Sequence, residues 1–235
     1  MILYSFDKSE IVKGRFIKRL NRFVGLVDVG GRLVKVHISD TGRLKEILTE
    51  GREIYITLSK NLKTDGKLLF AKMEDGFILL NTSYHSKIAY NLLKSMFPNL
   101  SVKPEYRYNE SRIDFLVNDE YLVEVKGCNL LVDNLCLFPD APTERGVKHL
   151  HHLIKSKKEG YKPILLILAF RDCDCFFPNL KTDKMFFEAF KMAIKEGVEC
   201  RIFKLKVDED FNIIVDREID LCEERWALQK ISSLL

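Results

Sequence analysis

Long apolar runs are missing from this chain. The longest, Ile164 to Phe170, has seven residues and follows Pro163, against the roughly 20 that a membrane-spanning helix needs. A bilayer-embedded protein is therefore excluded. The first residues, Met1-Ile2-Leu3-Tyr4-Ser5-Phe6-Asp7, carry no basic segment leading into an apolar stretch. No secretory signal is read there, and a cytoplasmic protein is expected. Gly-rich phosphate loops, internal repeats and low-complexity segments are also absent, so nothing points to a nucleotide cofactor. The six cysteines (Cys128, Cys136, Cys173, Cys175, Cys200, Cys222) include one C-x-C, but no second ligand pair stands nearby to complete a tetrahedral zinc site. In a chain of this length without an export signal, reduced and packed thiols are expected. What remains is 46% hydrophobic and 31% charged over 235 residues, the balance of a soluble protein with one large domain or two small ones.

The charge is unevenly placed. Residues 1–80 hold 15 Lys+Arg and 10 Asp+Glu, a net of +5, while the remaining 155 hold 23 and 24, a net of −1. The excess in the first third points to an anionic partner. Its densest stretch, residues 13–23, contains Lys13, Arg15, Lys18, Arg19 and Arg22 with no acid among them. These five are candidate phosphate contacts, and Phe16 or Phe23 could stack a base, although burial in a core suits both rings better. His37, Asp40, Thr41, Gly42 and Arg43 form a turn. His37, Thr41 and Arg43 could place polar groups at a groove, or the turn could simply cap a short helix over Arg43 to Leu48.

Strand patterns fill this part. Phe23 to Val29 and Arg32 to Ile38 flank a Gly30-Gly31 turn; Glu53 to Leu58, Lys67 to Met73 and Phe77 to Leu80 follow. Such spacing predicts a small β-barrel over 1–80; the five-stranded oligonucleotide-binding type fits, as do other barrels. From Asn81 the rhythm becomes α/β. The pattern predicts a helix over His85 to Phe97, then strands over Val102 to Tyr108, Arg112 to Val117 and Tyr121 to Val125. A helix over Thr143 to Lys158 capped by Thr143 comes next, then a buried strand over Ile164 to Phe170. A helix over Asp183 to Glu196, strands over Val198 to Lys206 and Phe211 to Val215, and a helical tail from Glu223 complete a second domain, 81–235.

The segment Ser111 to Gly127 is the most informative. With Asn118-Asp119-Glu120 as a hairpin loop, Val117 faces Tyr121, Phe115 faces Val123 and Ile113 faces Val125, which makes one face wholly apolar. The other face then pairs Leu116 with Leu122, Asp114 with Glu124, and Arg112 with Lys126. Two carboxylates directly across from each other lie about 5 Å apart at Cβ and repel. A divalent cation, the neighbouring Arg112 and Lys126, or a raised pKa on one acid would offset that repulsion. A hard cation such as Mg²⁺ or Mn²⁺ suits the pair, and Lys126 could position water or stabilise developing charge during phosphodiester cleavage. The plainer alternative is a solvated strand face.

Ser111-Arg112-Ile113-Asp114-Phe115, Glu124-Val125-Lys126 and the block Phe138-Pro139-Asp140-Ala141-Pro142-Thr143-Glu144-Arg145-Gly146-Val147-Lys148-His149-Leu150 resemble the sugar fermentation stimulation protein family. The resemblance extends through residues 18–23, 37–42, Asn81-Thr82, Phe177-Pro178-Asn179, Asp183 and Gly197-Val198-Glu199. It implies an N-terminal oligonucleotide-binding barrel followed by a mixed-sheet domain of the PD-(D/E)xK nuclease fold, in a DNA-binding protein linked to sugar (maltose) metabolism. By position, Asp114 and Glu124 would be metal carboxylates and Lys126 the catalytic lysine. Many such nucleases add a Glu from the helix before the sheet. His85 to Phe97 contains no acid, which leaves Glu105 as the nearest substitute. The block places Arg145 and His149 near the scissile phosphate, whereas His151 and His152 read as ordinary surface residues. The expectation is a cytoplasmic DNA-binding protein with a Mg²⁺- or Mn²⁺-dependent phosphodiesterase site and no preference read for single or double strands. The rivals are a non-catalytic DNA-binding regulator and an RNA-processing enzyme.

Overall fold

Alternation of apolar and polar residues over the first third produces five strands whose inward side chains close on one another. A computed structural model describes residues 1–59 and 63–232. The first compact unit comprises Met1–Tyr84 with Lys206–Val215, and the second His85–Leu205 with Asp216–Leu235. The expected division at residue 80 thus leaves out one segment, 206–215, which belongs to the first unit.

In the first unit, β1 (Ile2–Ser5) is followed by β2 (Ile11–Asn21), β3 (Val24–Val29), β4 (Arg32–His37), β5 (Glu53–Leu58), β6 (Gly66–Met73) and β7 (Gly76–Leu79). Strands β2 to β6 form a closed barrel: β2 pairs with β3 and β5, β3 with β4, β5 with β6, and β4 runs parallel to β6 at Val36–Gly66 and His37–Lys67. This circuit is the strand order of the oligonucleotide-binding barrel. Closure needs a glycine at position 66, because a Cβ there would lie 2.2 Å from the Thr57 carbonyl oxygen. Gly30 and Gly31 both have positive φ, so the β3–β4 turn has the conformation expected of it. The interior is filled by Phe16, Val27, Val36, Ile54, Ile56 and Leu68.

The barrel differs from expectation in two places. Residues 43–48 form turns rather than a helix. Leu44 takes a positive φ to bury its side chain, and the Arg19 guanidinium holds the carbonyls of Asp40, Gly42 and Arg43. Phe16 is in the core, but Phe23 is 49% exposed, because it sits in the tight β2–β3 connection outside the barrel.

The second unit runs α1 (His85–Met96), β8 (Val102–Tyr108), β9 (Ser111–Val117), β10 (Tyr121–Cys128), β11 (Leu130–Val132), β12 (Leu135–Phe138), α2 (Glu144–Lys158), β13 (Lys162–Ala169), β14 (Cys175–Pro178), α3 (Lys184–Lys195) and β15 (Glu199–Val207). After these come β16 (Asn212–Ile219), divided between the units as the end of β15 is, and α4 (Glu224–Ser232). Its main sheet has the order β15-β13-β10-β9-β8; β13 is parallel to β10 and β15, and the β8–β9–β10 meander is antiparallel. The helix, three-strand, helix, strand order expected from the sequence is present. Thr143 caps α2 by accepting from the Gly146 amide (3.0 Å), and Asp183 caps α3 by accepting from Phe186 (2.9 Å). Leu150, Leu153 and Ile154 of α2 pack with Phe186 and Phe190 of α3 against Leu165 and Ile167 of β13. Among the described residues no helix is long and apolar enough to cross a membrane.

The cysteines depart from expectation. Cys136 is bonded to Cys173 and Cys175 to Cys222, while Cys128 and Cys200 remain thiols. Strand β14 lies parallel to β12 in a small sheet with β11, which brings the two halves of the C-x-C to different partners. Sequence spacing carried no information on that pairing.

Candidate active site

The β9–β10 hairpin has the register that apolar patterning requires: Val117 opposite Tyr121, Leu116 opposite Leu122, Phe115 opposite Val123. Asn118 and Asp119 turn through positive φ. The ladder between the strands ends at Phe115 and Val123, so the expected pairs of Asp114 with Glu124, Ile113 with Val125 and Arg112 with Lys126 are not part of it, while β10 stays paired with β13 along its whole length. Where the strands part, the Asp114 carboxylate takes the ladder's place and accepts from the Val125 amide at 2.7 Å. Glu124 is next to that gap and is 1% exposed, so the hairpin's second face is not a solvated one. Helices cover both faces of β10. The His85 ring of α1 lies against Gly127, and His149 of α2 lies against Glu124, three residues away and so on the opposite side.

Glu124 Oε1 is held by both the Lys126 ammonium and His149 Nδ1. Lys126 Nζ lies 3.3 Å from the Val125 carbonyl oxygen and 3.3 Å from His149 Nδ1. Arg145, one turn before His149, donates from Nε to His149 Nε2 at 3.3 Å. Both imidazole nitrogens are therefore used: Nδ1 donates to Glu124 and Nε2 accepts from Arg145. Burial pushes Glu124 up, but Lys126 and His149 overcome it and hold the carboxyl below its usual range. Burial and the Glu124 charge push Asp114 up to about 6, against Lys126 and the Val125 amide. The two acids are thus driven apart in acidity, as paired carboxylates at reactive centres commonly are.

Glu124 Oε2 is buried and has no hydrogen-bond partner among the described residues. An unsatisfied carboxylate oxygen costs a few kcal/mol unless something fills the position, and beside Asp114 it presents the oxygen donors that a hard cation takes. Mg²⁺ is commonly held by one or two carboxylates completed by substrate phosphate and water. That fits a place where no three His, Cys, Asp or Glu among the described residues form a cage. Glu105 does not join the pair. Its neighbours Pro104 and Tyr106 pair with Phe115 and Ile113, but its own backbone has positive φ and its side chain, 62% exposed, meets Arg112 at 3.3 Å.

The block after β12 is the scaffold of this centre. Asp183 Oδ2 accepts from the Thr143 amide (2.8 Å), and Asn179 donates to the Pro139 carbonyl (3.0 Å). These bonds fix the start of α2, and with it Arg145 and His149. His152, expected from the sequence to be an ordinary surface residue, is not one. It is half-buried one turn past His149, its ring stacked on that of His149 at 6.4 Å and set edge-on to Tyr108. The i, i+3 spacing from His149 was the available signal. His151 is exposed, as expected.

The barrel candidates divide by what their side chains already hold. Arg19 donates to four carbonyls and is structural. Lys13 pairs with Glu53 at 2.6 Å, Arg15 donates to Gly51 at 3.0 Å, and Arg22 donates to Thr41 at 3.3 Å with its guanidinium 6.0 Å from the Phe23 ring. Lys18, Thr41 and Arg43 are exposed and His37 is half-buried. Lys35, not singled out from the sequence, faces outward opposite Leu26, which also pairs with Lys18. Lys18, Leu26 and Lys35 thus form a row across three strands, with Val24 and His37 beside it.

Family models match both parts: the N-terminal oligonucleotide-binding domain of the sugar fermentation stimulation protein over residues 17–80, and its RE domain over residues 83–211. The chain is 44% identical over 229 residues to a sugar fermentation stimulation protein homolog of Sulfolobus acidocaldarius, covering 96% of each chain. With the homolog of Thermotoga petrophila it shares 38% over 214 residues, 90% of this chain and 96% of that one. Among solved structures, that of Pyrococcus furiosus SfsA in complex with Ca²⁺ matches with a TM-score of 0.85 and 29% identity, over 95% of this chain and 100% of the other. The barrel, the mixed sheet behind the carboxylate hairpin and these matches along nearly the whole chain together make it a member of the sugar fermentation stimulation protein family.

Proposed function

We propose that this protein binds DNA on the outer face of its barrel and hydrolyses phosphodiester bonds at Asp114, Glu124 and Lys126. The observation that carries the reading is Glu124 Oε2, buried without a partner beside a second carboxylate of raised pKa. The Ca²⁺ complex of the Pyrococcus furiosus relative supports a hard-cation preference for the same fold.

Asp114 and Glu124 would hold Mg²⁺ or Mn²⁺, which supplies Lewis-acid polarisation of the phosphate and a more acidic water when bound. Lys126 provides a fixed positive charge, three donors and a short reach to the same carboxylate, so it can orient the attacking water or stabilise charge developing on phosphorus-bound oxygen. Arg145 is exposed, and its terminal nitrogens are free of other hydrogen bonds among the described residues. A guanidinium in that position grips a non-bridging phosphate oxygen pair in fork geometry. His149 keeps Glu124 ionised and in place. On the barrel, Lys18 and Lys35 meet backbone phosphates, and exposed Phe23 offers a face for an unpaired base. Action on DNA in the cytoplasm, bearing on sugar metabolism, is the biological side of the same proposal.

Labelled single- and double-stranded DNA and RNA incubated with Mg²⁺ or Mn²⁺ test it, with Glu124→Gln purified alongside and shown to be folded. Cation-dependent cleavage of DNA, absent from Glu124→Gln, is expected. Preferential cleavage of RNA would redirect the substrate. No cleavage at all, with salt-sensitive DNA binding intact, would leave a non-catalytic DNA-binding regulator.

A further inference from the structure

Hydrolysis of a phosphodiester leaves a sugar oxygen that needs a proton or a second cation. This site offers carboxylates for one cation only. Asp114 and Glu124 are the pair, Glu105 is turned to solvent, and no group of three metal-binding side chains forms among the described residues. The leaving oxygen therefore needs a proton donor, and most side chains near Glu124 are unsuited to that role. Lys126, held by Glu124, already serves the attacking water and the phosphorus-bound oxygen. Arg145 does not give up a proton in the working pH range. Both nitrogens of His149 are engaged. The Tyr108 hydroxyl donates to Glu159 at 2.6 Å.

His152 is what remains. Its ring is held between His149 and Tyr108, and its Nδ1 is buried with no hydrogen-bond partner among the described residues. An imidazole fixed by packing on two sides, yet left without a partner for a buried nitrogen, is costly unless a bound molecule completes it. We propose that His152 is the general acid of the phosphodiesterase reaction, donating its proton to the departing sugar oxygen. The proposal rests on the phosphodiesterase reading above. In the step, a water oxygen bonds to phosphorus, the bond from phosphorus to the leaving oxygen breaks, and that oxygen takes the imidazolium proton. The water's own proton passes to solvent, from which the imidazole is reprotonated. Burial and the nearby Lys148 lower the proton affinity of His152 in the free protein; a phosphate anion docked beside it acts in the opposite sense.

The test compares two substrates in wild type, His152→Gln and His152→Phe. One is labelled DNA; the other is bis(p-nitrophenyl) phosphate, whose leaving nitrophenolate needs no proton. The Phe variant preserves ring packing against His149 and Tyr108, and so covers a failure of the Gln variant to fold. Unfolding midpoints and oligonucleotide affinity in Ca²⁺ serve as readouts independent of turnover and are expected to stay near wild type. The expected result is a loss of about 10²- to 10⁴-fold on DNA, with the nitrophenyl ester cleaved at close to the wild-type rate. Equal losses on both substrates, or no loss on DNA, would overturn the assignment. Wild type that cleaves neither substrate, like Glu124→Gln, would instead remove the phosphodiesterase reading and the assignment with it.

Discussion

At the residue scale, two side chains of the second unit titrate in opposite senses. His85 is stacked on Phe170 and pressed onto Gly127, where an added Cβ would lie 2.2 Å from its ring. Burial lowers its pKa to about 4, from the ordinary 6.5. Between those values the unfolded chain takes up a proton that the folded chain refuses, so this group makes stability rise with pH from 4 to 6.5. Asp114 is raised from 3.8 to about 6. Over that interval the folded chain keeps a proton that the unfolded chain has lost, so its contribution falls as pH rises. Each is on the order of 3 kcal/mol across its window, and the two nearly cancel. Denaturant unfolding of Asp114→Asn should therefore expose a stability that climbs between pH 4 and 6.5, where wild type is flatter. His85→Gln should show the reverse slope. An Asp114→Asn profile as flat as wild type would contradict the assignment of His85 as a buried neutral group.

At the scale of elements, the hairpin was legible and the small sheet was not. One wholly apolar face fixes the β9–β10 register, because a one-residue slip would turn Phe115, Val117 and Val123 out of the core. Helices α1, α2 and α3 declared themselves through their spacing and caps. Pairing of β12 with β14 had no such signal: the strands are short, four residues each, and nearly 40 residues apart. The two disulfides that depend on it were consequently misread as thiols. Likewise the gap beyond Val123, where the Asp114 carboxylate replaces the ladder at the Val125 amide, is not signalled by the residue types along the two strands. The Cys175–Cys222 bridge spans 47 residues and joins β14 to the segment before α4, next to a core of Phe177, Phe187, Ala227 and Ile231. Loop-closure arguments put its contribution at about 3–4 kcal/mol. Cys175→Ser with Cys222→Ser should lower the stability of the second unit by an amount of that order and raise amide exchange in α4 first. Unchanged exchange in α4 would show that apolar packing alone holds the helix.

At the scale of the molecule, positive charge and the carboxylate centre belong to different units. The charge excess was readable from counting, but not which cations are free. Arg19 stood in the basic stretch and proves to be a loop brace, whereas Lys35 completes an outward row with Lys18. Reversal of both lysines to Glu should weaken DNA binding and shallow the dependence of log affinity on log salt by roughly one unit for each phosphate no longer neutralised. Filter binding across a salt series reads this directly, and an unchanged slope would remove this face from the proposed DNA-binding surface. Calorimetric titration of the purified protein with Ca²⁺ tests the proposed divalent-cation site of Asp114 and Glu124 without depending on turnover. One equivalent bound by wild type, with binding lost in Glu124→Gln and in Asp114→Asn while both remain folded, is the predicted result. Undiminished Ca²⁺ binding in both variants, or none in wild type, would contradict it.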